Sequence, residues 1–214
     1  MMSAAKAPLD PTRDPTADDP RRGVILMYAR QAFLSEGYSA AKMEPLARQA
    51  QVSTATLYAQ FNSKADLFAA VLEDAANDFT LQMAPVQAVE GSARDQLMAF
   101  ALAYAEFLAN PNVRAIFRLI LAERPQFPEV TARFFDQGRH DVGAALVDAL
   151  TALAGQNELR IDDPMAAAGQ LLGMIEHPVF FVPLVLGDKA PSDRPAAEIA
   201  KDAVETFLAR YQNR

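Results

Sequence analysis

The stretch VSTATLYAQFNSK, Val52 to Lys64, sets Ser53, Thr54 and Thr56 ahead of Leu57-Tyr58, then Gln60, then Asn62-Ser63-Lys64. These side chains donate and accept hydrogen bonds, and one carries a positive charge, but none forms a nucleophile–base pair or an acid–base pair. Residues able to do bond chemistry are sparse elsewhere. The chain has no cysteine, which removes disulfides, thiolate catalysis and cysteine zinc sites. Its two histidines, His140 and His177, have no neighbours at metal-ligand spacing, so no metal site is expected. Glu176 and His177 do not share a helix face, because neighbours point about 100° apart. His177 therefore reads as a hydrogen-bonded structural residue or as the polar handle for a ligand. Asp162-Asp163 precede Pro164 and read as a helix cap rather than a catalytic pair. No glycine-rich phosphate loop, G-x-S-x-G elbow or H-E-x-x-H sequence is present. The expected function is recognition, with neither enzyme activity nor a cofactor.

Composition narrows what could be recognised. Of 214 residues, 51% are apolar and 22% charged, the balance of a globular chain with ample length for a core. The net charge is −7, but it is unevenly spread. Residues 21–68 hold six basic against three acidic side chains, whereas residues 69–214 hold 12 against 20. The positive surplus lies in the segment that carries the hydroxyl-rich stretch, where an anionic partner would meet it. Residues 1–20, with four prolines and four aspartates, read as a flexible arm and not as a secretory signal. The most apolar window, residues 165–187, is interrupted by Glu176, His177, Pro178 and Pro183. It is expected to be buried helix and not a membrane span, in a soluble cytoplasmic protein with no membrane partner.

The elements that must position these groups are helical throughout. Ile25, Tyr28, Ala29, Ala32 and Phe33 make one apolar face, which Gly37 ends. A second, short helix turns Met43, Leu46, Ala47 and Ala50 inward, with Pro45 confined to its first turn. Gln51-Val52 make a tight turn, and Ser53 is placed to cap a third helix from Thr54 to about Phe61. Longer stripes follow: Leu67 to Phe79, Leu97 to Leu108, Val113 to Leu121, and one long helix from Val130 to Leu153 closed by Gly155. The apolar window and a last helix through Ile199, Ala203, Phe207 and Tyr211 complete an all-α fold.

Three short helices with a tight turn between the last two form a helix-turn-helix unit. A helix entering the major groove needs small or polar residues at its start, plus hydroxyls and a cation to hold phosphates. Thr54, Ala55, Thr56, Tyr58, Gln60 and Lys64 supply that mixture, while Leu57 and Phe61 point back as anchors. Gly37 to Phe68 resembles the DNA-binding motif of the tetracycline-repressor (TetR) family of bacterial transcription regulators. The likeness rests on Gly37-Tyr38, Leu46-Ala47, Val52-Ser53, the T-L-Y triplet at 56–58, Phe61, and S-K-x-x-L at 63–67. Two positions depart from the family pattern. Ala41-Lys42 stand where it places threonine, and Lys42 supplies a charge there instead. Gln51 stands where it favours glycine, so a left-handed backbone is expected at that residue. The resemblance implies phosphate contacts from Lys42, Thr56, Tyr58 and Lys64, a helix cap at Ser53, and base-edge contacts from Thr54, Ala55, Ala59 and Gln60.

It also implies the roles of the acidic remainder, residues 69–214: pairing into a homodimer and enclosing a small apolar or aromatic effector. Residues 113–187 are similar to the C-terminal domain of AefR-type regulators, which implies a repressor released from double-stranded operator DNA by an organic effector. Cavity candidates are Phe100, Tyr104, Phe107, Phe117, Met174, His177 and Phe181. Ala166, Gly169 and Gly173, with Ile199, Phe207 and Tyr211, are the candidates for a four-helix dimer seam. The alternative is a helical protein-interaction module without DNA-binding activity.

Overall fold

A seven-residue helix has too few internal hydrogen bonds to persist alone in water, so short helices must be held by their ends and by a shared core. In the computed structural model, which describes residues 19–83, 91–188 and 194–213, the first such helices lie in a unit spanning Met1–Val71. Helix α1, Pro20–Ala40, starts with Pro20 at its first position and the Asp19 carboxylate accepting the Arg21 N–H at 2.9 Å. Asp19 and Pro20, counted with the expected arm, are thus the cap and first residue of α1, and residues 1–18 lie outside the described ones. Gly37 leaves the helical path at φ 79°, ψ 164°. The Tyr38 ring then packs 5.9 Å from Phe33 and 5.1 Å from Phe68.

Helix α2, Met43–Gln49, carries Pro45 in its first turn, and α3, Thr54–Gln60, follows. Between them Gln51 adopts φ 56°, the left-handed conformation expected where the turn lacks glycine, and the Val52 N–H reaches the Ala47 carbonyl at 2.9 Å. Leu46, Ala47, Leu57 and Phe61 are buried with Ile25, Ala29 and Phe33. Helix α4, Lys64–Met83, opens with the Ser63 hydroxyl accepting the Asp66 N–H at 3.0 Å.

The second unit, Leu72–Arg214, takes the remainder of α4 and the helices after it: α5 (Ala93–Ala109), α6 (Pro111–Glu123), α7 (Pro128–Gly138), α8 (Ala145–Gly155), α9 (Pro164–Glu176), α10 (Val182–Leu186) and α11 (Ala196–Tyr211). Among the described residues no β-strand forms. A lone antiparallel bridge joins Leu159 to Gln212. The core is made by Leu97, Ala101 and Leu108 of α5, Leu146 and Leu150 of α8, Leu171 and Ile175 of α9, and Ala200, Val204 and Phe207 of α11. Buried Arg114 donates to Asp188 at 2.6 Å and to the Leu108 carbonyl at 2.9 Å. Arg118 donates to the Pro183 and Leu184 carbonyls, closing the end of α10, and to Asp188. The hydrogen bonds from Arg118, then those from Arg114, hold the Asp188 carboxyl below its ordinary range.

Three expectations change. The single helix from Val130 to Leu153 is two helices joined by a π-helical turn, Arg139–Ala144, and a second such turn, His177–Phe181, joins α9 to α10. Apolar spacing alone does not register the extra residue of a wider turn. The window at 165–187 is not buried helix. Only 22% of its most apolar part is covered, although Pro164–Leu186 is long and apolar enough by composition to cross a membrane. Ile199 and Phe207 are core rather than surface, 7% and 1% exposed, because α11 turns them onto α5. Relieving the left-handed strain at one position should be visible: Gln51→Gly is expected to raise stability by about 0.5 kcal/mol, read as a higher urea midpoint.

Candidate nucleic-acid interface and effector cavity

Helix α3 owes its start to Ser53, whose hydroxyl accepts the Thr56 N–H at 3.0 Å and lies 2.8 Å from the Thr56 hydroxyl. Leu57 and Phe61, four apart, are buried and fix which side faces out. Ala55, Tyr58 and Ala59 then form an exposed i, i+3, i+4 face, with Thr54 and Thr56 half-buried beside it. Tyr58 is 46% exposed, which removes a core role for its ring. Lys42, the backbone cap of α2, makes no side-chain capping bond and is exposed.

Two expected DNA contacts are engaged inside the unit. The Gln60 amide donates to Asp19 at 3.0 Å, and the Arg22 guanidinium lies over the Phe61 ring at 4.5 Å. Gln60 therefore ties the end of α3 to the cap of α1 instead of facing outward. The Lys64 ammonium donates to the Ser39 and Ala41 carbonyls at 3.1 and 2.8 Å and lies 4.5 Å from the Tyr38 ring centre. It satisfies carbonyls at the end of α1, a role that a lone basic residue in a sequence does not announce. The residue missed is Arg48. It is exposed on α2 and borders a shallow groove with Ser53 and Thr54, so a cation stands beside the start of α3. Its place three residues before the turn was the available signal.

In the second unit α4 to α7 and α9 line a partly open cavity of about 230 Å³. Of the expected residues Tyr104, Phe107 and Phe117 line it, joined by Phe79, Phe134, Phe135, Leu172, Glu176 and Phe180. The rings interlock: Phe79 meets Phe107 edge-on at 4.9 Å, and Phe117 meets Phe134 at 5.5 Å and Phe180 at 4.8 Å. The Tyr104 hydroxyl donates to the Glu176 carboxylate at 2.6 Å. Burial, then the Glu176 charge, then that hydrogen bond push the Tyr104 phenol well above the ordinary tyrosine range, so it keeps its proton. Phe100, Met174, His177 and Phe181 are not in the wall. Phe100 stacks on Tyr104 from outside, and Phe181 is 54% exposed with the His177 ring stacked on it. The inward row is Leu172, Glu176 and Phe180; Glu176 and Phe180 each stand one residue before an expected position, a rotation of about 100°. Both π-helical turns contribute to the wall, the first through Val142 and Gly143 and the second through Phe180. Among the described residues no three His, Cys, Asp or Glu converge as a metal site.

On the outer side of α9, Ala166, Gly169 and Gly173 are exposed. A Cβ built on either glycine meets nothing within 4 Å. Met165 is 74% and Leu186 71% exposed on the same continuous segment. Tyr211, the remaining seam candidate, is half-buried against the core and donates to Gln170 at 2.9 Å.

Residues 25–71 match the family model for bacterial regulatory proteins of the tetR family, and residues 95–213 match that for the AefR-like transcriptional repressor, C-terminal domain. The chain belongs to the TetR family. It is accordingly a DNA-binding transcriptional regulator and not an enzyme. It is 32% identical over 110 residues to the HTH-type transcriptional activator FasR of Mycolicibacterium smegmatis, spanning half the length of that relative. The crystal structure of a TetR-family regulator from Mesorhizobium loti covers 94% of this chain, and all of that one, with a TM-score of 0.77 at 24% identity. The flavonoid-responsive regulator FrrA covers 91% of this chain and 98% of its own, with a TM-score of 0.74 at 28% identity. For a TetR-family regulator the α3 cap is a sensitive point. Ser53→Ala is expected to cost about 1 kcal/mol of stability, measured by thermal melting.

Proposed function

We propose that this TetR-family regulator is a homodimer that represses transcription by inserting α3 into a palindromic operator, and that a small apolar or aromatic effector releases it. The observation that carries the reading is the open face of α3. Ala55 and Ala59 let the backbone approach base edges, with Thr54 beside them, while Tyr58 and Thr56 reach phosphates. Lys42 and Arg48 add charge at the flank, in place of Lys64 and Gln60, which act through the fold. Work on double-stranded DNA favours a cytoplasmic location. Repression is favoured by the AefR-like repressor model over residues 95–213. FasR, alike over half its length, is an activator, so a reporter fusion with the chain deleted decides the sign.

Pairing has two supports. Two recognition helices about 34–36 Å apart read a two-fold operator far more tightly than one. Glycine inside a helix also costs about 1 kcal/mol relative to alanine, and Gly169 and Gly173 have no neighbour among the described residues that requires it. Close approach of a second copy of α9 accounts for both glycines and covers Met165, Phe181, Val185 and Leu186. Release follows from α4, which opens at Lys64 and supplies Ala76, Phe79 and Thr80 to the cavity wall. An effector that favours a swung position of the helix from Asp66 onward changes the spacing of the recognition helices. Its affinity for the two states must differ by a few kcal/mol to empty the operator.

Three measurements test this. Tyr58→Ala is expected to weaken operator and random DNA alike by about tenfold in gel-shift titrations. Arg48→Ala should reduce the slope of log K against log salt by about 0.9, the loss of one phosphate contact. Unchanged slopes would remove Arg48 from the interface. Gly173→Phe is expected to convert a dimer to a monomer in light scattering with helix content retained, because the added ring meets open space in the single chain. A wild-type monomer, or a wild-type chain that partitions onto lipid vesicles, overturns the pairing.

A further inference from the structure

The chemistry of the cavity wall narrows the ligand further than its apolar character does. Five rings that touch one another, Phe79, Phe107, Phe117, Phe134 and Phe180, surround the space, with the buried Tyr104 at one side. Among the described lining side chains one carboxylate, that of Glu176, is present and no lysine, arginine or histidine. Arg114 and Arg118, on the helix that supplies Phe117, are bonded to Asp188 and do not line the space. Glu176 makes no ion pair among the described residues. The Tyr104 hydroxyl donates to one of its oxygens at 2.6 Å. The second oxygen is a strong acceptor for a charged N–H donor. A ring that turns its face to the ligand nitrogen would add cation–π attraction, because the negative side of the aromatic quadrupole lies there. The charge of the lining thus selects the ligand sign.

We infer that the effector of this cavity is a lipophilic organic cation, an aromatic amine or ammonium whose nitrogen sits against Glu176 and whose hydrocarbon body lies among the phenylalanines. This rests on the reading of the cavity as an effector site. Size sets the body: a dry cavity of about 150 Å³ takes one benzene ring, so about 230 Å³ takes one or two rings. Carboxylate-bearing aromatics and fatty acids are excluded, because they would bring a second negative charge to Glu176 with no basic group among the described lining to offset it.

A matched series on the full chain tests the inference by calorimetry at neutral pH: 2-naphthylmethylammonium, the uncharged 2-naphthalenemethanol, and 2-naphthoate. The ammonium is expected to bind at least tenfold more tightly than the alcohol, and the carboxylate more weakly than both. Glu176→Gln should bring ammonium and alcohol within about threefold of each other. Tyr104→Phe keeps the carboxylate and should keep the ammonium preference, so the inference remains testable if Glu176→Gln does not fold. An alcohol or carboxylate that binds as tightly as the ammonium overturns it, as does a preference that survives Glu176→Gln. If the alcohol binds best and also releases operator DNA, the cationic class fails while the regulator reading stands. If none of the three binds at millimolar concentration, the effector cavity itself fails.

Discussion

Helices of seven residues lie below the length that hydrogen bonding alone sustains, and the DNA-facing unit is built from two of them. Everything α3 presents outward depends on what restrains α2 and α3 from behind. Leu46, Ala47, Leu57 and Phe61 supply burial, the Ser53 hydroxyl satisfies the Thr56 amide in the first turn of α3, and Gln51 accepts a left-handed backbone so that the chain can turn. Lys64 joins the end of α1 to the beginning of α4 by filling carbonyl valences at Ser39 and Ala41. Ser53, Gln60 and Lys64 are thus occupied in holding α3 and its neighbours.

That division explains what the sequence made legible. Periodicity located the helices, since a buried stripe needs residues three and four apart, and the cap at Ser53 and the strained turn at Gln51 followed from residue type. The internal partners of Gln60 and Lys64 were not legible, because a polar side chain looks alike whether it faces a phosphate or a carbonyl. Its partner, Asp19 in one case and Ser39 in the other, lies 41 or 25 residues away and leaves no local trace. Arg48 was passed over for the complementary reason: its meaning comes from standing next to Ser53 and Thr54 in space.

The second unit was less legible because its helices carry apolar residues on more than one side. In α11 the row through Ile199 and Phe207 meets α5, and in α9 the rows differ in partner: Leu171 and Ile175 enter the core, Leu172 and Glu176 face the cavity, and Gly169 and Gly173 face out. Composition cannot assign three rows of similar polarity to three destinations. The π-helical turns shift phase as well, and they do so where the cavity wall is formed. An acidic residue among phenylalanines reads in sequence as an interruption. In the fold, Glu176 is the cavity's one charged landmark among the described lining residues.

The uncovered strip from Met165 to Leu186 has a thermodynamic corollary. Whatever molecule covers it binds the native chain and not the unfolded one, and so contributes its binding free energy to the fold by mass action. For a second copy of the same chain, resistance to unfolding becomes a function of the protein's own abundance. In that case dilution would weaken the fold and the grip on DNA together.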